Sequence, residues 1–163
     1  MSTAVLSIGS NLGDRLAALR HGLDAVRPWL VAVSPVYETA PWGPVPQGDY
    51  LNAILVAEDP IAEPRDWLAR AHAAEQAAGR TREVRWGPRS LDVDVVAVDD
   101  VRSDDPDLTL PHPRAAQRAF VLVPWLAAVP DAVLAGLAVR DLVDALPAEE
   151  PAGVRLRPDL GLS

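Results

Sequence analysis

At 163 residues the chain has the length of one domain, and with 49% hydrophobic and 23% charged residues it can bury a core. It holds no cysteine, which excludes disulfides, thiolate metal ligands and cysteine nucleophiles, and its formal charge of −8 argues against an extended nucleic-acid interface. The longest charge-free runs, 1–13 and 119–130, fall short of the roughly 20 apolar residues that span a bilayer. No basic patch precedes an apolar run at the start of the chain. These features predict a soluble, cytoplasmic protein with no membrane partner, whose residues 1–163 form one domain.

Residues 4–8 read as a short buried strand ending at Gly9. Ser10 or Asn11 is placed to cap a following helix, with Asp14 in its first turn. Leu12, Leu16, Leu19, Leu23 and Val26 form the apolar stripe of that helix, and Pro28 marks its end. A second strand is expected around residues 31–37. Six prolines and glycines then fall among the fifteen residues 35–49, which predicts a long loop, either a plain connection or a lid. A third strand follows near residues 50–57.

Pro64 opens a second helix, whose stripe of Leu68, Ala71, Ala74 and Ala78 also takes in Glu75. A carboxylate in that position needs a partner, either an arginine or a ligand. Gly79 is a natural stop. Residues 91–98 are a strong strand and 108–110 a shorter one. Two apolar segments bounded by prolines, 119–129 and 132–146, supply helical material, and residues 154–157 an edge strand. The order β-α-β-β-α-β predicts an α+β fold: a ferredoxin-like, largely antiparallel sheet with helices packed on one face and an extra C-terminal helical segment.

The chemistry concentrates in the second half. Alternation along a strand puts Asp92 and Asp94 on one face, and two carboxylates so placed call for positive charge between or beside them. Magnesium and an arginine ion pair both meet that need. Just before them, residues 79–90 carry Arg80, Arg82, Arg85 and Arg89 against Glu83, with Trp86 among them. Guanidinium forks take phosphate oxygens in pairs, and an indole offers a flat face to a ring. Joined to the aspartates, this segment reads as a polyphosphate and magnesium site. Trp42 and Tyr50 flank the long loop, and Phe120 follows His112 and Arg118. Asn52 shares the Tyr50 face of its strand, where a carboxamide either completes the structure or reads the edge of a heterocycle. His112 is either a phosphate contact or a turn residue.

Five ordered blocks carry a resemblance: residues 8–13 (IGSNLG), 34–39 (SPVYET), 49–53 (DYLNA), 85–94 (RWGPRSLDVD), and 108–114 (LTLPHPR) with 118–120 (RAF). In this order the chain resembles the 6-hydroxymethyl-7,8-dihydropterin pyrophosphokinases of folate biosynthesis. The resemblance implies transfer of the pyrophosphoryl group of ATP to the hydroxymethyl group of the pterin, releasing AMP. It implies two magnesium ions on Asp92 and Asp94, with Arg80 and Arg89 sharing the catalytic work. ATP would meet Glu75, Arg80, Arg82, Arg85, Trp86, Val95, His112 and Arg118. The pterin would meet Thr39, Ala40, Trp42, Tyr50, Asn52, Trp86 and Phe120. Loops 43–49 and 79–90 would close over both substrates. The resemblance implies a monomer, with at most weak association with other enzymes of the pathway. Glu83, His72 and Ala40 stand where some relatives carry a basic residue, glutamine and proline.

Overall fold

The computed structural model describes residues 2–41, 46–78 and 90–162. In chain order its elements begin β1 (Ser2–Ser10), α1 (Arg15–Val26), β2 (Leu30–Val33), β3 (Tyr37–Thr39), β4 (Tyr50–Asp59), α2 (Pro64–Ala77) and β5 (Asp92–Val98). They continue β6 (Ser103–Asp105), β7 (Leu108–Leu110), α3 (Ala119–Ala128), β8 (Val133–Leu134), β9 (Leu137–Ala138), α4 (Val139–Ala145), α5 (Glu149–Ala152) and β10 (Arg155–Leu156).

The main sheet runs β10-β3-β4-β1-β5, with β2 on the same edge of β4 as β3. Every pairing in it is antiparallel. The helices α1 and α2 each link two strands that run the same way with one opposing strand between them. β1 is therefore paired along both edges, and what it carries is held by the ladders of two neighbours.

Both faces of this sheet are covered. Leu6 and Ile8 of β1 and Leu51 and Leu55 of β4 pack under α1 and α2, with Leu19, Leu23 and Trp67 from the helices. Val5, Ile54, Val56 and Val96 pack on the opposite side beneath α3 and α4, with Leu122, Trp125 and Val139. The single covered face expected from the sequence is corrected here. Along β4 both alternating sets of side chains are apolar from Ala53 to Ala57, so leaving either face in water would expose a row of them.

Local chemistry moved other expected boundaries. The cap of α1 is Asp14, whose carboxylate accepts the Ala17 N–H at 3.0 Å. Asn11 is engaged elsewhere, donating to Gln47 Oε1 at 2.7 Å and to the Gly48 carbonyl at 3.1 Å. Gly13, at φ +69°, makes the turn that sets Asp14 at the cap. The helix starts at Arg15, so Leu12 lies outside its stripe and is exposed. The strand expected over residues 31–37 is two strands, because Pro35 has no N–H for the ladder. Ser34 bridges the break: its N–H donates to the Ile54 carbonyl, and its hydroxyl accepts the Ile54 N–H at 2.8 Å. Pro64 does open α2, with Glu63 and Asp66 forming a reciprocal capping box.

Two acids tie distant segments together. Arg15, the largest influence, holds the Glu38 carboxyl below its ordinary value near 4.5 through a hydrogen bond. Asp59 is held below 3.8, first by the Ile61 amide and then by Arg70, whose guanidinium lies over the Trp29 ring. In the folded chain both prefer the ionised form. Their stabilisation is therefore complete above the unfolded values and is lost as pH falls through the folded ones. Melting temperatures are expected to hold steady from pH 7 to 5 and to fall below about pH 4. A thermal-melt series that stayed flat to pH 3 would show that these pairs add nothing.

Candidate active site

The face of the sheet that meets α3 gathers the polar side chains. Register makes the arrangement explicit: Asn52 of β4, Gly9 of β1 and Asp92 of β5 lie in one row, and Ile54, Ser7 and Asp94 in a second row. Asp92 and Asp94 thus share this face, as alternation predicted. Between them and Asn52, β1 presents only a hydrogen and a hydroxymethyl group.

At the acidic end, the Arg118 guanidinium comes within 3.7 Å of Asp94 Oδ2. It also lies 5.4 Å from the centre of the Phe120 ring. Burial draws the Arg118 pKa down, and Asp94 opposes that pull. Arg118 remains a cation in any case. His112 is anchored through its main chain, whose N–H donates to the Val96 carbonyl at 2.8 Å. Its Nδ1 accepts the Arg114 N–H at 3.2 Å, so the ring proton belongs on Nε2. Burial lowers its pKa, Asp94 counteracts, and Arg118 and Arg114 add to the lowering. His112 is thus a neutral N–H donor near neutral pH.

The other end is built on β3 and β4. Asn52 is buried and donates to Thr39 Oγ1 at 2.7 Å. Tyr50 opens β4 two residues earlier, on the same face. A Cβ built on Gly9 would come within 3.0 Å of Asn52 Oδ1 and 3.4 Å of Tyr50 Cδ1. That glycine leaves space that any side chain would fill. A cavity of about 440 Å³ opens at Thr39, the partner of Asn52, lined also by Ala40 and Pro41, by Ala119 and Phe120 of α3, and by Glu150 and Val154 at the C-terminal end.

The structure therefore brings together Thr39, Ala40, Tyr50, Asn52 and Phe120 on one side, and Asp92, Asp94, His112 and Arg118 on the other. Glu75 and Val95 do not join them. The Val95 side chain packs in the α1 and α2 core. Glu75 is buried on α2, where Oε2 accepts the Val93 N–H at 3.0 Å on β5. Its alanine variant is expected to lose about 1–3 kcal/mol, the cost of stranding a buried amide, in urea denaturation. Trp42, Arg80, Arg82, Arg85, Trp86 and Arg89 lie outside the described residues. Gly9 is the element that sequence reasoning missed. The sequence marks it as a strand end, although a glycine within a strand pattern also signals a close approach of another group.

For a metal, the donor set decides. Among the described residues no three His, Cys, Asp or Glu side chains form a cage. Two carboxylates on one strand face suit magnesium, which uses one or two of them and fills its remaining positions with water and phosphate oxygens. The residues present fit that ion.

Fold and site together define an α+β protein with an acid, imidazole and guanidinium end on the same sheet face as a buried amide, Asn52, whose partner Thr39 lines a pocket. The sequence pattern of the 7,8-dihydro-6-hydroxymethylpterin-pyrophosphokinases matches residues 5–130, and the chain belongs to this family. A Mycobacterium bovis protein named 2-amino-4-hydroxy-6-hydroxymethyldihydropteridine pyrophosphokinase is 51% identical, over 100% of this chain and 94% of the relative. A Methylorubrum extorquens protein of the same name is 42% identical, over 94% of this chain and 98% of its own length. Among solved structures, wild-type Plasmodium falciparum HPPK-DHPS shares the fold, with a TM-score of 0.65 at 14% identity over 88% of this chain. The present chain spans 44% of that longer one. Among the described residues, no helix is long and apolar enough to cross a membrane.

Proposed function

We propose that this site carries the β,γ-pyrophosphoryl group of ATP to the hydroxymethyl oxygen of 6-hydroxymethyl-7,8-dihydropterin. The bond from that oxygen to the β-phosphorus forms, the bond from the α-phosphate bridging oxygen to the β-phosphorus breaks, and AMP leaves. Pyrophosphoryl transfer to hydroxymethyldihydropterin in folate biosynthesis comes with membership of the family. The observation that carries the assignment of residues is the row Asn52, Gly9, Asp92, which sets an amide and the acid pair on one face with β1 cleared between them.

In this reading the pterin ring lies over Gly9, with Asn52 and Thr39 at its polar edge and Tyr50 and Phe120 around its faces. Groups that stay buried and unpaired with a lookalike would make the pocket selective. Asp92 and Asp94 would hold two magnesium ions. When bound, magnesium supplies the positive charge that lets an anionic triphosphate be attacked at phosphorus. Arg118 and the Nε2–H of His112 would bind phosphate oxygens. Arg80, Arg82, Arg85 and Arg89 would add cations, Arg80 and Arg89 at the departing charge, and Trp42 and Trp86 would add aromatic surface. Glu75 on α2 and Val95 on β5 would border the nucleotide away from the acid pair. Positioning and electrostatics supply most of the acceleration in such a site. The strand order supports a ferredoxin-like layer to which α3, α4 and α5 are additions. We place the protein in the cytoplasm as a monomer of one domain.

Incubation with ATP and hydroxymethyl-dihydropterin, with and without magnesium, tests this directly. AMP and the pyrophosphorylated pterin are expected in equal amounts and only with the metal. ADP as the nucleotide product would indicate ordinary kinase chemistry. No turnover would favour a module that senses an anionic metabolite.

A further inference from the structure

On the α1 side of the sheet lies an ionic assembly built from residues other than those just given a role. Glu38 sits on β3 between Tyr37 and Thr39, and its side chain is only 16% exposed. One oxygen accepts from Arg15 of α1 at 2.5 Å, and the other accepts from Arg157 at 3.0 Å. Arg157 also fastens its own main chain, donating N–H to the Val36 carbonyl at 2.9 Å. The same Arg15 nitrogen reaches on to the Asp49 carbonyl at 3.0 Å. Arg155 of β10 grips the Asp49 carboxylate at 2.9 Å and stands 3.9 Å from Glu38. Asp49 is thus held at its main chain from α1 and at its side chain from the C-terminal strand. The next residue is Tyr50, and two further on is Asn52.

We propose that Glu38 and the arginines 15, 155 and 157 form a positioning device that sets the pterin-contacting start of β4 by clamping Asp49. This rests on the functional reading above, since Tyr50 and Asn52 matter only if they meet the pterin. The C-terminal strand β10, whose Arg155 lies 106 residues from Asp49 in sequence, thereby enters the geometry of the acceptor pocket. A displacement on the order of 1 Å at a recognition group is costly even when the chemistry lies elsewhere.

The experiment measures steady-state constants, together with calorimetric binding of hydroxymethyl-dihydropterin in the presence of a nonhydrolysable ATP analogue. Glu38→Gln is expected to raise the pterin KM and Kd about tenfold, with kcat and the ATP KM within about twofold of wild type. Asp49→Arg and Arg155→Asp are each expected to weaken pterin binding. The double variant, which restores the pair with charges exchanged, should return it to within about threefold of wild type.

A purely structural role would instead depress all kinetic constants together, with no rescue in the exchange. That result overturns the proposal, as does a pterin affinity unmoved in every variant. Should Glu38→Gln fail to fold, the charge exchange alone decides. Wild type that binds no pterin would remove the functional reading and this device with it. Wild type that binds normally, beside unaffected variants, removes only the device.

Discussion

Asp94→Ala is expected to release AMP at least about a thousandfold more slowly than wild type, roughly 4 kcal/mol of barrier at 1.4 kcal/mol per tenfold. Its fold should survive. The Asp94 side chain is 47% exposed, so its loss opens no cavity in either core. The neighbouring donors should also keep their states. Asp94 works to raise the His112 pKa against burial, so its removal leaves that imidazole neutral with its proton still on Nε2. Arg118 loses an acidic neighbour but none of its charge. The defect therefore reports the missing carboxylate itself. Melting temperature and pterin binding, measured beside AMP release, should match wild type. Activity within about tenfold of wild type would withdraw Asp94 from the site.

Gly9→Ala is expected to act at the opposite end of the same face. One methyl group enters at 3.0 Å from Asn52 Oδ1, where the amide must give way, and at 3.4 Å from Tyr50 Cδ1, at the limit of ordinary contact. Asn52 cannot withdraw freely, because it is buried and tied to Thr39. The amide is pushed off its hydrogen bond and the methyl takes ring space. A rise of about 10–100-fold in the pterin KM should follow, with the ATP KM within about twofold. Stability should change little, since losing a glycine favours the folded state by about 0.4–1 kcal/mol and offsets part of the strain. In a cycle with Asn52→Ala, the two defects should be strongly non-additive, because the methyl has less to displace once the amide is gone. An unaltered pterin KM in Gly9→Ala would show that the ring does not lie there.

These residues also show what the sequence makes legible. The shared face of Asp92 and Asp94, and that of Tyr50 and Asn52, follow from the two-residue period of a strand. So does the burial of β4 over Ala53 to Ala57, where both of its alternating sets are apolar. Partners across long separations do not follow from any local period. Asn11 is an excellent cap on propensity, yet it serves Gln47 and Gly48, 36 and 37 residues away, and Asp14 takes the cap instead. Glu75 in an apolar stripe announced a need for a partner, but the Val93 amide could be found only by placing α2 against β5. Gly9 was invisible for a related reason. Its importance lies in what the neighbouring strand β4 brings over it.

The arrangement of β4, β1 and β5 also fixes a length. Their hydrogen-bonded ladders space adjacent strands by about 4.8 Å, so Asn52 at the ring's polar edge and the acidic pair stand about 10 Å apart across β1. This ruler is made of main chain, and both of its divisions share β1. Changes in the connecting loops can alter how substrates enter and leave while the gap between the two stations stays constant. Evolution can therefore rework the rim of such a protein freely, as long as the three central ribbons keep their alignment.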